Sequence, residues 1–257
     1  MSIDFHIHNA LTEFLLRLGD DRLVLGHWLS EWCGHAPMLE EDIALTNIAL
    51  DEIGQASAFL HLAGEIEGRG RSEDDLAYFR EATQFSNVRL VEQPNNDFAS
   101  TIARQFLFDA YSYFLLELLQ TSAHQQLAGI AAKGFKEATY HLRHSREWML
   151  RLGEGTAESH RRLQASLNDL WPFTKELFDF DETERALAAE GIIPALDGLD
   201  KKWRGLVTDV FIAATLTISE NNVYMVSGSR TGKHSEHLGH MLAEMQIVAR
   251  SFPGAKW

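Results

Sequence analysis

Apolar residues recur at steps of three and four along nearly the whole chain, while glycine and proline fall between the periodic blocks. The pattern predicts an all-α protein. Long helices are expected at about 10–33, 39–66, 98–121, 123–151, 158–178, 199–226 and 234–250, with short ones near 73–82 and 182–189. Breaks fall at Gly34 to Pro37, Gly64 to Gly70, Pro94 to Asn96, Gly153 to Gly155 and Gly228 to Gly232. The run Val88-Arg89-Leu90-Val91 has strand character, but it is too short and too close to Pro94 to build a sheet. Pro172 should kink its helix.

Loop lengths organise these helices. The first two are separated by a short loop, as are the third and fourth long ones, so each pair is expected to form an antiparallel hairpin. The stretch from Gly64 to Asp97 then serves as a long crossover. Two hairpins joined by one crossover make a ferritin-like bundle, with core hairpins at about 10–66 and 98–151 and additional C-terminal helices. No linker divides residues 1–257, so a single domain is expected.

Acidic residues fall one per helix in the order such a bundle uses for metal: Asp20, Asp51, Asp109 and Glu137. Asp109 shares a stripe with Ile102, Phe106, Tyr113 and Leu116, and Glu137 shares one with Leu127, Ile130, Gly134 and His141. A two-metal carboxylate site also needs a Glu-x-x-His pair on each of two helices. No Asp or Glu in the chain has a His three residues later. Gly54 follows Asp51 and Tyr140 follows Glu137, and neither is a substitute for imidazole. This spacing predicts a degenerate frame with no complete metal site or, failing that, ordinary acids that merely land on these faces; either way no cofactor and no catalytic residue is expected in this chain. Buried carboxylates without metal must then be protonated, bonded by Tyr140 or Asn47, or paired with His27, His141, Arg17 or Arg104. A self-contained di-iron or manganese oxidase with unusual ligands, drawing on His27 and His141, remains as an alternative.

Composition narrows the setting. The formal net charge of -14 and pI near 5.3 oppose binding to nucleic acid or to an anionic membrane. No apolar run approaches the length of a membrane span, and Cys33 is alone, which excludes a disulfide framework. Met1 is followed by no basic or apolar leader, which makes the cytoplasm the expected compartment. No base stands positioned for Cys33, and no serine has the elbow of a hydrolase nucleophile.

Several segments are more specific than this. Leu16-Arg17-Leu18-Gly19-Asp20, Glu31-Trp32-Cys33-Gly34-His35-Ala36-Pro37, Gln84-Phe85-Ser86-Asn87, Val91-Glu92-Gln93-Pro94-Asn95 and Ile102-Ala103-Arg104-Gln105 stand in this order along the chain. Trp171-Pro172-Phe173-Thr174-Lys175-Glu176 and Glu236-His237-Leu238-Gly239-His240-Met241 follow them. Together, from about residue 11 onward, they closely resemble the non-catalytic C subunits of bacterial phenylacetyl-CoA 1,2-epoxidases. The resemblance implies a structural or regulatory subunit in aerobic phenylacetate breakdown. Such a subunit binds and stabilises a catalytic A subunit that holds the di-iron centre. It also implies a heterotetramer of two A and two C chains, with a further small subunit and a reductase. Position by position, Asp20, Asp51, Asp109 and Glu137 match the former ligand frame, with Gly54 and Tyr140 where histidines would ligate.

Three other features have simpler readings. His234, His237 and His240 step around a helix and cannot all reach one ion. The segment Ser227 to Lys233, with Arg230 and Lys233, has the cations to touch a CoA phosphate at an interface, but a plain turn between helices is the favoured reading. Trp257 has the character of an interface anchor.

Overall fold

The structure, a computed structural model, describes residues 5–218 and 224–255, so Trp257 lies outside it. Among the described residues every regular element is helical. Helix α1 runs Phe5–Ser30, α2 Leu39–Glu67, α3 Glu73–Tyr78, α4 Arg89–Glu92 and α5 Phe98–Leu119. They are followed by α6 at Gln125–Gly153, α7 at Ala157–Leu170, α8 at Glu182–Ala189, α9 at Leu199–Ala213 and α10 at Glu236–Ser251. No described helix is long and apolar enough to cross a membrane.

Local chemistry sets the ends. Gly68 closes α2 in the left-handed conformation at φ 68°, its N–H returning to the Gly64 carbonyl. Asp97 caps α5 by accepting from Ser100 N at 2.8 Å. Ser72 with Asp75 and Asp181 with Glu184 form capping boxes on α3 and α8. Pro172 stops α7 more fully than a kink would: lacking an N–H, it leaves a 3₁₀ segment over Trp171–Phe178. The helix expected to reach 226 ends at Ala213, because Thr215 takes a left-handed φ of 58° and Leu216 N turns back to the Phe211 carbonyl at 2.8 Å. The strand-like run at Val88 becomes α4, since Val88 N is held by Asp21 Oδ1 at 2.7 Å and finds no strand partner.

The α1/α2 and α5/α6 hairpins pack on each other around a core that includes Leu15, Ile48, Phe59, Phe106 and Leu116, all essentially inaccessible. The crossover is stapled to α1 by buried ion pairs. Asp20 takes the Arg80 guanidinium and accepts from Ser86 N at 2.9 Å. Asp21 accepts from Arg230 Nη1 at 3.0 Å and Nη2 at 2.9 Å. Glu92, fully buried, gathers Asn87, His234 and Ser235 and so holds the start of α10 against the crossover.

Candidate functional site in the bundle interior

Helices α1, α2, α5 and α6 aim polar side chains into the space they enclose. On α2 the buried stripe Leu45, Ile48, Glu52, Gln55, Ala56 and Phe59 steps by threes and fours, so Glu52 and Gln55 point inward with the apolar residues. The stripe on α6 holds Leu127, Ala131, Gly134, Ala138, His141 and Ser145. Helix α5 supplies Gln105, Asp109 and Ser112, and α1 supplies Arg22, all of them buried.

These residues form two adjoining groups. In the first, one donor atom from each of Glu52, Asp109 and His141 lies within 4.8 Å of the others. His141 Nδ1 is 3.4 Å from Glu52 Oε1, and its Nε2 is 3.0 Å from Asp51 Oδ2. Asp109 accepts from Gln105 Nε2 at 2.6 Å and from Ser145 Oγ at 2.7 Å. Glu52 Oε2 and Gln105 Oε1 are buried with no hydrogen-bond partner. In the second group Arg22 donates from Nε to Gln55 Oε1 at 2.8 Å, from Nη2 to Ser112 Oγ at 3.0 Å and from Nη1 to the Leu18 carbonyl at 3.1 Å. Its guanidinium carbon sits 5.1 Å from the centre of the Phe59 ring, close enough for a cation–π contact. Gln55 continues outward, donating to Glu137 Oε2 at 2.9 Å.

Burial pushes the Asp109 carboxyl up to about 7, against the pull of His141 and of the bonds from Ser145 and Gln105. Burial opposes the His141 cation, but the bonds to Asp51 and Glu52 and the charges of Glu52 and Asp109 outweigh it and raise the group to about 10. The raised Asp109 value has a sign. Between about pH 4 and about pH 7 the folded state holds a proton that the unfolded state has released, so this group's contribution to stability falls as pH rises through that window. Asp109→Asn mimics the protonated acid. Urea unfolding of both proteins at pH 5 and pH 8 should show the variant gaining on wild type at the higher pH, by an amount on the order of 2 kcal/mol. An unchanged difference between the two pH values would mean that Asp109 is ionised throughout.

The inward positions have the spacing of a two-metal carboxylate bundle, in which two helices give one acid each and two give a Glu-x-x-His pair. Matched to that pattern by their burial, Arg22 on α1 and Asp109 on α5 would take the single-acid positions. Glu52 with Gln55 on α2, and Ala138 with His141 on α6, stand at the paired ones. Three of the six, Glu52, Asp109 and His141, are donors of the required type. The other three are not: Ala138 has no donor, Gln55 is neutral, and Arg22 brings a cation. One imidazole, two carboxylates and a guanidinium do not fit a pair of divalent ions.

The frame expected from the sequence is therefore corrected. Of Asp20, Asp51, Asp109 and Glu137, only Asp109 lies in the interior group. Asp20 points to the crossover and pairs with Arg80. Asp51 reaches His141 from the rim with its side chain 39% exposed, and Glu137 lies at the edge between Gln55 and Lys133. Gly54 is exposed, with open space where a Cβ would stand, and Tyr140 is 45% exposed, so neither occupies a ligand position. The cause is the turn of about 100° per residue in an α-helix. A slip of one residue on α2 or α6, or of two on α1, moves a side chain to another face. The compensation is also different from that expected. His141 does pair with Asp51, but Arg17 goes to Asp181 and Glu184, Arg104 bonds the loop at Gln93 and Asn95, and Asn47 is exposed. Arg22, inside the bundle, and Arg80, at the crossover, are buried cations that sequence reasoning missed.

The segment Ser227 to Lys233 is committed to structure. The Arg230 guanidinium is spent on Asp21 and the Ser86 carbonyl, and Ser229 N binds Glu176 Oε1 at 3.1 Å, leaving Lys233 as the segment's exposed cation. His234 bonds Glu92 and the Phe85 carbonyl, and forms no metal-sized group with His237 and His240 among the described residues.

The chain matches the model of a family described as phenylacetic acid catabolic protein over residues 5–257. It is 51% identical over 249 residues to the C subunit of the 1,2-phenylacetyl-CoA epoxidase of Escherichia coli (strain K12), covering 97% of this chain and 100% of that protein.

Proposed function

This chain belongs to the family of phenylacetic acid catabolic proteins, and on that premise we propose that it is the C subunit of a phenylacetyl-CoA 1,2-epoxidase. In this reading it is not the catalytic chain. It binds the catalytic di-iron subunit and holds it in an active form, and the two chains assemble as a heterotetramer with a further small subunit and a reductase. The observation that supports the non-catalytic reading is Arg22: a buried guanidinium bonded to Gln55 and Ser112 puts a fixed positive charge inside the bundle.

One observation favours a second reading. Glu52, Asp109 and His141 lie close enough to share one ion, and Glu52 Oε2 has no other partner. Against it, both ring nitrogens of His141 already face carboxylates, which holds the imidazole as a cation and not as a ligand.

Both readings meet in one experiment. The purified chain, incubated anaerobically with ferrous iron or manganese, is analysed for bound metal and then added to the catalytic subunit and reductase with phenylacetyl-CoA. We expect no stoichiometric metal here, no turnover by this chain alone, and turnover by the catalytic subunit that depends on its presence. One ion per chain would support the second reading; full activity of the catalytic subunit by itself would overturn the first.

A further inference from the structure

From Leu39 to Ser57, before exposed His61 and Glu65, the outward stripe of α2 carries no charge where a solvated helix normally does. Leu39, Ile43, Asn47, Leu50, Gly54 and Ser57 follow one another along it, all exposed. Leu39 is 70%, Leu50 62% and Ile43 54% accessible, which is unusual for three large apolar residues on one face. Beside it runs α6, bound to α2 through Glu41 with His144 at 2.8 Å, Asp51 with His141 at 3.0 Å and Gln55 with Glu137 at 2.9 Å. Leu50 and Tyr140 are both exposed, and each adjoins in sequence one member of the bonded pair Asp51 and His141.

The charge of α6 is opposite to that of the molecule. It has five cations, Lys133, Lys136, Arg143, Arg146 and Arg151, against Glu137 and Glu147, a net +3 in a chain of formal net charge -14. Lys136, Arg143 and Arg146 have no ion-pair or hydrogen-bond partner among the described residues, and Arg143 only covers the Tyr140 ring at 5.4 Å. Apolar-floored grooves flank the helix. One, of about 430 Å³, lies against α2 beside Ala58, Ile130 and Lys133; the other, of about 620 Å³, lies along the other edge of α6, against α5 and α9, and holds Tyr113, Phe114, Leu142 and Leu206 beside Arg143, Arg146 and Glu147.

We propose that this α2/α6 face is the surface on which the chain binds its partner subunit, and that the partner presents an acidic, helical surface with apolar side chains for the two grooves. The inference rests on the subunit reading above. Three arguments select this occupant. A face two helices wide and roughly 40 Å long offers on the order of 800 Å² per side, the size of a stable interface. A second copy docking by the same face would set α6 cations against α6 cations, which disfavours a symmetric self-pair. The uncharged stripe with a basic edge is the pattern of an apolar interface core with a steering rim.

The test is binding of the full-length chain to the purified catalytic subunit, read as a dissociation constant and by size-exclusion chromatography. Leu50→Glu/Tyr140→Glu and Arg143→Glu/Arg146→Glu each alter exposed side chains, so the fold should be kept, as checked by circular dichroism. A control, Ile247→Glu/Phe252→Glu, alters another pair of exposed apolar residues, on α10 and at its C-terminal end. We expect each α2/α6 variant to weaken binding by about 100-fold, the arginine reversal to abolish most of its salt dependence, and the control to bind as wild type. Wild-type affinity in both α2/α6 variants, or loss confined to the α10 control, would overturn the assignment of the face while leaving the subunit reading intact. Self-association of the wild type that these variants abolish would overturn the choice of occupant. If the wild type does not bind the catalytic subunit at all, the subunit reading fails and this inference falls with it.

Discussion

Asp20→Ala is expected to destabilise the protein by about 3–5 kcal/mol, which for a chain of this size corresponds to a fall of roughly 10 °C in the unfolding midpoint. The magnitude follows from what the carboxylate holds. Asp20 has no accessible surface, pairs with both terminal nitrogens of Arg80 and accepts from the Ser86 amide. The Arg80 side chain is itself 3% exposed and stacks on Phe85 at 4.2 Å, so removing its partner leaves a cation with no route to water. Asp20→Ala/Arg80→Met removes the charge as well as the partner and should recover part of the loss, because an apolar pair avoids the desolvation cost of two buried ions. Urea unfolding of the two variants separates these cases. A loss below about 1 kcal/mol for Asp20→Ala would mean that Arg80 finds water or another acceptor and that the crossover is not stapled here.

This residue also marks the boundary of what the sequence reveals. The helices and their pairing were legible because they depend on short-range periodicity and loop length. Both hairpins, the crossover and the all-α character follow from these alone. The inward register was not legible, because α1, α2 and α6 each carry two neighbouring polar residues where only one faces in. Asp20 and Arg22, Asp51 and Glu52, and Tyr140 and His141 compete for the same height on their helices. The apolar stripe could have separated them: Leu45, Ile48, Gln55, Ala56 and Phe59 share a face with Glu52, and Leu127, Ala131, Gly134 and Ala138 share one with His141. No Glu-x-x-His marks the site, because Glu52 on α2 has Gln55 three residues on and His141 on α6 has Ala138 three residues before it. The partners of Arg22 and Arg80 were beyond local reading of any kind. Arg22 bonds residues 33 and 90 positions away, and Arg80 binds Asp20 across 60. Such contacts depend on how the hairpins and the crossover dock.

The same inward positions yield the second large effect. Arg22→Glu/Gln55→His/Ala138→Glu would place one acid on α1 opposite Asp109 on α5, and would complete a Glu-x-x-His pair on α2 behind Glu52 and another on α6 ahead of His141. That is the donor set and spacing of a two-metal bundle. We expect this variant to take up about two ferrous ions per chain, against none for wild type. Removing Arg22 matters most, since its guanidinium is a fixed positive charge beside the ligand positions and a divalent ion would have to bind against it. Arg22→Glu alone should therefore raise ferrous affinity more than Gln55→His or Ala138→Glu alone, although it leaves Ser112 without its donor. Elemental analysis and thermal unfolding with and without iron give independent readings, because an ion that binds only the folded state must raise the midpoint. Ala138 is 2% exposed, so a larger side chain there adds bulk to a packed interior, and Arg22→Glu/Gln55→His without it serves as the second variant. If both variants fold and neither binds iron, the six inward positions are not a metal frame, and Glu52, Asp109 and His141 are an internal hydrogen-bond cluster with no ligand geometry behind it.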